Sequence, residues 1–137
     1  MPTALITPEA LIDQPGPHVD RLIDAGFEVR YPDDSTFTRG RPSDQTISGL
    51  EGIDALLAGG EKLTSEVLEG CPSLRVIARC GVGFDRVDIP AATRLGRVVT
   101  ITPTANHAAV AEQALALLFA VSKRVVVHDS LVRSGGW

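Results

Sequence analysis

Five aliphatic segments alternate with helical patterns through residues 1–103, and few folds accommodate that order. Ala4-Leu5-Ile6-Thr7 is a short apolar strand closed by Pro8. Phe27-Glu28-Val29-Arg30-Tyr31 alternates strictly, as a strand with one wet face does. Ile53 to Leu57 is an apolar strand ending at Gly59-Gly60, Arg75 to Ala78 leads into Gly81-Val82-Gly83, and Val98 to Ile101 is stopped by Pro103. Between them, His18 to Ala25 carries Val19, Leu22 and Ile23 on one helical face, with Gly26 as its stop. Pro32 to Gly40 is polar and turn-rich and reads as a loop. Leu63 to Leu68 is a helix with Thr64 as N-cap, ended by Gly70 and Pro72. Asp88 caps a further helix with Pro90 in its first turn and Gly96 just past its end. Strands alternating with helices predict an α/β fold, a parallel five-stranded sheet with helices on both faces. Right-handed crossovers narrow the topology to a doubly wound, flavodoxin-like order.

Ligands on such sheets bind beyond the carboxyl ends of the strands. Three of those ends are glycine-rich or polar: Thr7-Pro8, Ala58-Gly59-Gly60 and Cys80-Gly81-Val82-Gly83. The last lies within LRVIARCGVGFDRVD, Leu74 to Asp88, which reads as strand, turn and helix. Bare N–H groups in such a turn form a receptor for a small anion such as a carboxylate, and glycine lets the backbone approach it with no Cβ in the way. The same residues also suit a plain tight turn. The position three after Gly83 is Arg86, so the dinucleotide fingerprint is not met and the turn is not read as a pyrophosphate site.

Arg79, at the end of its strand, is either an exposed terminus or a guanidinium placed to pair with a carboxylate or phosphate. Asp85 and Asp88 are read as helix-capping groups rather than acid/base groups. His18, His107 and His128 are scattered without metal-ligand spacing, so they read as surface residues and no metal site is expected. Asn106, at a helix start, is either an N-cap or a ligand contact with both donor and acceptor to offer. Glu112 sits where a negative charge complements the helix dipole.

Residues 104–137 follow a different pattern. Thr104 or Asn106 can cap a single helix over 107–131, with Val110, Ala114, Leu117, Leu118, Val121 and Val125 on one face. Ala111, Leu115 and Phe119 add a second apolar face. A helix apolar most of the way round is covered on more than one side, by a missing domain or a second copy of the chain. The net charge of −4 and the scattered Lys and Arg residues argue against nucleic-acid and anionic-membrane partners. The longest apolar run, Ala114 to Val121, is too short to span a bilayer. Cys71 and Cys80 have neither metal nor CxxC spacing, and no secretory signal opens the chain. A cytoplasmic protein with reduced thiols is expected.

The segment ARCGVGFDRVDIPAATRLGRVVTITPTANHAAVAEQALALL resembles the D-isomer-specific 2-hydroxyacid dehydrogenases, in particular their phosphoglycerate-dehydrogenase-like branch. Three linked pieces carry the match: the turn RCGVGFDRVD, then AATRLG with a strand and Thr102-Pro103, then Ala105-Asn106 leading into Val110-Ala111-Glu112 and an aliphatic helix. The resemblance is clear over residues 53–137 and extends to 1–52 in pattern. It implies a flavodoxin-like substrate domain over 1–103, with 104–137 as linker and first helix of an incomplete, truncated Rossmann domain that binds NAD in the family. It implies that Gly81, Val82 and Gly83 hold a substrate carboxylate, that Val82 also meets the nicotinamide of the cofactor, and that Arg79 and Asn106 line the substrate cleft. The family's catalytic Arg, Glu and His fall beyond Trp137, as do its glycine-rich dinucleotide loop and ribose-binding acid, so no catalytic residue is expected in this chain. Some phosphoglycerate dehydrogenases carry Arg-Ser after the third strand; Ala58-Gly59 and the adjoining Gly60 stand there instead, which argues against phosphoglycerate.

The expected function is that of the N-terminal substrate domain of an NAD-dependent 2-hydroxyacid dehydrogenase. It would take a small 2-hydroxy or 2-oxo acid, be inactive alone, and form a homodimer through the helix at 107–131. A non-catalytic binding or dimerisation module using that helix is the alternative. A receiver-type signalling domain is disfavoured, because the third strand ends in Leu57-Ala58-Gly59 rather than in an aspartate.

Overall fold

The computed structural model describes residues 1–34 and 37–137. Strands β1 (Thr3–Ile6), β2 (Glu28–Arg30), β3 (Ala55–Ala58), β4 (Val76–Arg79) and β5 (Val98–Thr100) form one parallel sheet in the order β2-β1-β3-β4-β5. This is the doubly wound, flavodoxin-like order expected from the sequence. The chain steps from β1 out to β2 and then back past β1 to β3, β4 and β5. Right-handed crossovers therefore put α1 (Pro17–Asp24) on one face and α2 (Ser43–Gly49), α3 (Ser65–Gly70) and α4 (Ile89–Arg94) on the other.

Register decides which side chains form the core. Leu5 pairs with Leu56, Leu56 with Ile77, and Ile77 with Val99. This row joins Leu50, Ile53, Leu63, Val67, Leu68, Leu74, Ala91 and Ala92 in one core cluster with the α2–α4 layer. The row one residue earlier, Ala4, Ala55, Val76 and Val98, points the other way. On that side α1 has no buried residue, and Val76 and Val98 stay 37% and 55% exposed.

The helix signals act as the sequence suggests. Thr64 Oγ1 accepts from the Val67 amide at 3.3 Å, and Asp88 Oδ1 accepts from the Ala91 amide at 2.9 Å. Gly26 ends α1 at φ 84°, a conformation that favours glycine, and the Phe27 amide closes the turn on the Leu22 carbonyl at 2.9 Å. Helix α2 is a departure, since SDQTISG has no apolar stripe and is built of weak helix formers. Thr46, buried within it, donates to the Pro42 carbonyl at 3.2 Å. A single 3-10 turn, Glu9–Leu11, also follows Pro8.

The chain divides into two compact units, Met1–Pro103 and Thr104–Trp137. The second unit corrects the expectation of one helix over 107–131. It holds α5 (His107–Ser122) and α6 (Val125–Arg133), separated where Arg124 adopts a left-handed φ of 51°. The Lys123 and Arg124 amides close α5 on Phe119 and Val121, and the β-branched run Val125-Val126-Val127 begins the next helix. Both aliphatic faces of α5 are solvent-exposed: Leu115 is 54%, Leu118 61% and Phe119 60% exposed. Among the described residues no helix is long and apolar enough to cross a membrane.

Candidate functional site

In the order β2-β1-β3-β4-β5 the chain reverses direction between β1 and β3, and such a switch point is where open α/β sheets leave a crevice. Three strand ends meet there: Thr7 after β1, Gly59-Gly60-Glu61 after β3, and Arg79 to Gly83 at and after β4. The loops are tied together. The Leu63 amide donates to the Arg86 carbonyl at 2.8 Å, and the Asp88 amide donates to the Leu63 carbonyl at 2.9 Å. Arg86 Nη1 reaches the Gly60 carbonyl at 2.5 Å.

Among the described residues, the amides of Gly81, Val82 and Gly83 donate to no protein acceptor. The preceding amide, Cys80, is spent on the Ala58 carbonyl at 2.9 Å, and the Gly81 carbonyl accepts from Thr102 at 3.0 Å. The turn is thus anchored on both sides while its own donors stay free. Val82 is 39% and Phe84 52% exposed, so neither of these side chains packs down over the turn. A Cβ added at Gly81 would meet nothing within 4 Å, and neither Gly81 nor Gly83 has a positive φ. Backbone strain therefore does not explain glycine at 81.

Arg79 braces this turn. Its Nε donates to the Gly83 carbonyl at 3.2 Å, and its Nη1 donates to the Gly59 carbonyl. The guanidinium thus spans the loops after β3 and β4. Asp88 is committed to capping α4, as the sequence suggests, and Asp85 is exposed beside Gly83. Asn106 belongs to the second unit, at the N-cap of α5, where its side chain makes no capping bond. His107 and His128 are exposed, and among the described residues no group of three His, Cys, Asp or Glu is placed to hold a metal.

Two residues of the junction were not singled out from sequence as site residues. Thr7 is fully buried; its Oγ1 accepts from the Gly59 amide at 3.0 Å, lies 3.1 Å from the Leu57 carbonyl and touches Glu61 Oε1. Glu61 is 1% exposed, and its Oε2 has no partner. Burial pushes its carboxyl above the usual carboxylate range, against the pull of the Thr7 hydroxyl, the Glu61 and Gly59 amides and the Arg79 charge. The only sequence signal was a glutamate directly after Gly59-Gly60, at a strand end already marked as a ligand position.

The turn lacks the dinucleotide-binding fingerprint. Asp88 already occupies the α4 N-terminus, and Arg86 stands where the fingerprint needs glycine. What the turn does offer is a row of amides beside a guanidinium, a geometry suited to a small carboxylate.

Comparison with known proteins places this architecture. The family model described as "D-isomer specific 2-hydroxyacid dehydrogenase, catalytic domain" matches residues 10–128. The chain is 37% identical over 117 residues to a glyoxylate reductase of Pyrococcus furiosus, covering 85% of this chain and 34% of the relative. It is 35% identical over 128 residues to a D-3-phosphoglycerate dehydrogenase of Mycobacterium bovis, covering 93% and 23%. Its fold superposes on the TT0316 protein of Thermus thermophilus with a TM-score of 0.78 at 33% identity, covering 98% of this chain and 41% of that one. It also shares the fold of the NAD+-bound 3-phosphoglycerate dehydrogenase of Entamoeba histolytica, with a TM-score of 0.66 at 22% identity, covering 86% and 38%. The chain spans well under half the length of each of these proteins. On its fold and on a match over most of its length, this chain belongs to the D-isomer specific 2-hydroxyacid dehydrogenase family.

Proposed function

We propose that this chain supplies the substrate-binding part of an NAD-dependent 2-hydroxyacid dehydrogenase, and that its ligand is the carboxylate of a small 2-hydroxy or 2-oxo acid. The observation that carries this reading is the set of free amides at Gly81, Val82 and Gly83, held open beside Arg79. Three N–H donors and a guanidinium satisfy a carboxylate's two oxygens without burying an unpaired charge. In the whole protein the nicotinamide would supply the hydride, with Val82 as the contact from this chain. The nucleotide itself would be held elsewhere, since Arg86 stands where the fingerprint has glycine.

Asp85, exposed beside Gly83, is read as a group that orients α4 and not as the acid/base group that proton transfer to a 2-oxo acid requires. The 137-residue chain is therefore proposed to bind without turning over. The open sheet face at Val76 and Val98 and the bare sides of α5 support a further reading, that additional chain or a second copy covers them in the assembled protein.

Two measurements test the proposal. The coding sequence after Trp137 is expected to continue into a strand and a G-x-G-x-x-G turn. The purified 137-residue chain, given NADH and glyoxylate, is expected to leave the NADH unoxidised. A stop codon after Trp137 together with steady NADH oxidation by this chain would overturn the reading.

A further inference from the structure

The Glu61 carboxyl at the β1–β3 junction is buried with one oxygen unpartnered. A threonine hydroxyl has one proton and two acceptor lone pairs. Around Thr7 Oγ1 stand the Gly59 amide at 3.0 Å, which only donates, and the Leu57 carbonyl at 3.1 Å, which only accepts. The third neighbour is Glu61 Oε1. With Glu61 ionised, the Thr7 hydroxyl donates to Oε1 and the Leu57 carbonyl keeps the Thr7 amide as its donor at 3.1 Å, so these contacts are satisfied in either state. With a proton on Oε1, Glu61 donates to Thr7, Thr7 donates to Leu57, and Gly59 donates to Thr7, so every contact has one donor. The unpartnered, buried Oε2 separates the two states, since it is far less costly as the carbonyl oxygen of a neutral acid than as half of a carboxylate.

The surrounding charges leave Glu61 without a counter-ion. Among the described residues Arg79 is the charge that acts on it, and that guanidinium is engaged on the Gly59 and Gly83 carbonyls. Arg86 is on the Gly60 carbonyl, and Lys62 is exposed. Glu9 and Arg39, which follow Pro8 and Thr38 against the glycine pair, bridge to each other at 2.7 Å. Asp85 is exposed beside Gly83.

We propose that Glu61 is a positioning residue of the anion site that works as a neutral carboxylic acid. Its proton, given to Thr7, fixes the Gly59 loop that Arg79 grips, and keeps the buried wall of the cleft uncharged when a carboxylate enters. The proposal rests on the anion-site reading above and adds a protonation state to it. The consequence is a pH dependence that a merely structural contact would not produce. As Glu61 loses its proton, a buried like charge appears behind the turn and the bound carboxylate is weakened.

The experiment is a carbon-detected NMR titration of the glutamate side-chain carboxyls in the 137-residue chain, with Glu61→Gln identifying the Glu61 resonance. Glu61 is expected to keep its proton past the range in which the exposed glutamates ionise. Glyoxylate affinity, read from amide shifts, is expected to fall roughly tenfold as pH rises through that titration, the size of effect one nearby like charge produces. In Glu61→Gln the affinity is expected to hold level with pH. A Glu61 carboxyl that ionises with the exposed glutamates, while glyoxylate still binds, overturns this proposal alone. Failure of glyoxylate to shift any amide at any pH overturns the anion-site reading and the positioning role with it. Should Glu61→Gln not fold, the titration of the unsubstituted chain decides the matter, with Glu61 then identified through its contact with Thr7.

Discussion

Arg79 Nε and the Gly83 carbonyl oxygen lie 3.2 Å apart, donor to acceptor, so the end of β4 is hydrogen-bonded to the far side of the turn it opens. The same side chain holds the Gly59 carbonyl, and one guanidinium thereby fixes two loops and leaves a positive charge beside three free amides. Arg79→Gln is expected to weaken glyoxylate binding by roughly ten- to a hundredfold, the worth of a charge-assisted hydrogen bond at about 1.5–3 kcal/mol. Arg79→Lys keeps the charge but loses the two-pronged grip, and is expected to fall between the two. Calorimetric titration with glyoxylate, with urea unfolding as a control for stability, checks both.

The glycines at the site separate a ligand role from a folding role. At Gly81 an added Cβ meets no atom within 4 Å, so Gly81→Ala is expected to change stability by no more than about 0.5 kcal/mol while abolishing anion binding. At Gly59 an added Cβ lies 2.8 Å from Thr38 Cγ2 and 3.2 Å from the Pro8 backbone, so Gly59→Ala is expected to cost about 1–3 kcal/mol. Chemical denaturation of both variants, alongside glyoxylate titration of Gly81→Ala, tests the contrast. Equal destabilisation would mean that glycine at 81 serves the turn alone.

Stability should also depend on pH through Glu61. Its carboxyl ionises higher in the folded chain than in the unfolded one, chiefly because of burial. Its stabilising contribution is then complete below the ordinary carboxylate range of the unfolded chain and is lost as pH rises through the folded value, because over that window the folded state holds a proton that the unfolded state has released. Glu69, lowered by its bonds to Ser65 and Arg94, acts with the opposite sign and loses its contribution only as pH falls through its folded value. Urea unfolding through mildly acidic to neutral pH is expected to show a decline that Glu61→Gln flattens. An unchanged slope would contradict the assignment.

The two thiols should react very differently. Burial raises the Cys71 thiol and keeps it protonated, whereas Cys80 is exposed one residue before the open amides. Iodoacetamide at mildly alkaline pH is expected to label Cys80 and spare Cys71 until denaturant is added, as read by peptide mass.

The sequence and the structure agree wherever a local signal and the tertiary demand coincide. Thr64 and Asp88 are strong caps placed before apolar runs, and both cap in the fold. The aliphatic strands are buried by register, which the alternation of strand and helix implies. Helix α2 was illegible because its seven residues have neither stripe nor propensity, and Thr46 and Leu50 are recruited by packing that only the assembled sheet supplies. The break at Lys123-Arg124 was hidden because the apolar spacing continues through it, while Arg124 leaves the helical region without a glycine or proline to announce it. At the site, Gly81 to Gly83 and Arg79 were visible as types at a strand end. Glu61 was not, since its meaning depends on lying opposite Thr7, 54 residues away in sequence.

The α5 helix makes a prediction about assembly. Leu115, Leu118 and Phe119 are each more than half exposed, more apolar surface than a lone soluble helix usually leaves open. The mass of the 137-residue chain by light scattering is expected to rise with concentration, and Leu118→Glu is expected to hold it at the monomer value. A chain monomeric at high concentration would remove pairing through this helix.

The most direct test is a nitrogen–proton NMR titration of the isotope-labelled 137-residue chain with glyoxylate, with its uncharged counterpart glycolaldehyde as control. Saturable shifts are expected at the Gly81, Val82 and Gly83 amides with glyoxylate and none with glycolaldehyde. Shifts confined to other amides, or equal responses to the two compounds, would contradict a carboxylate site at the end of β4.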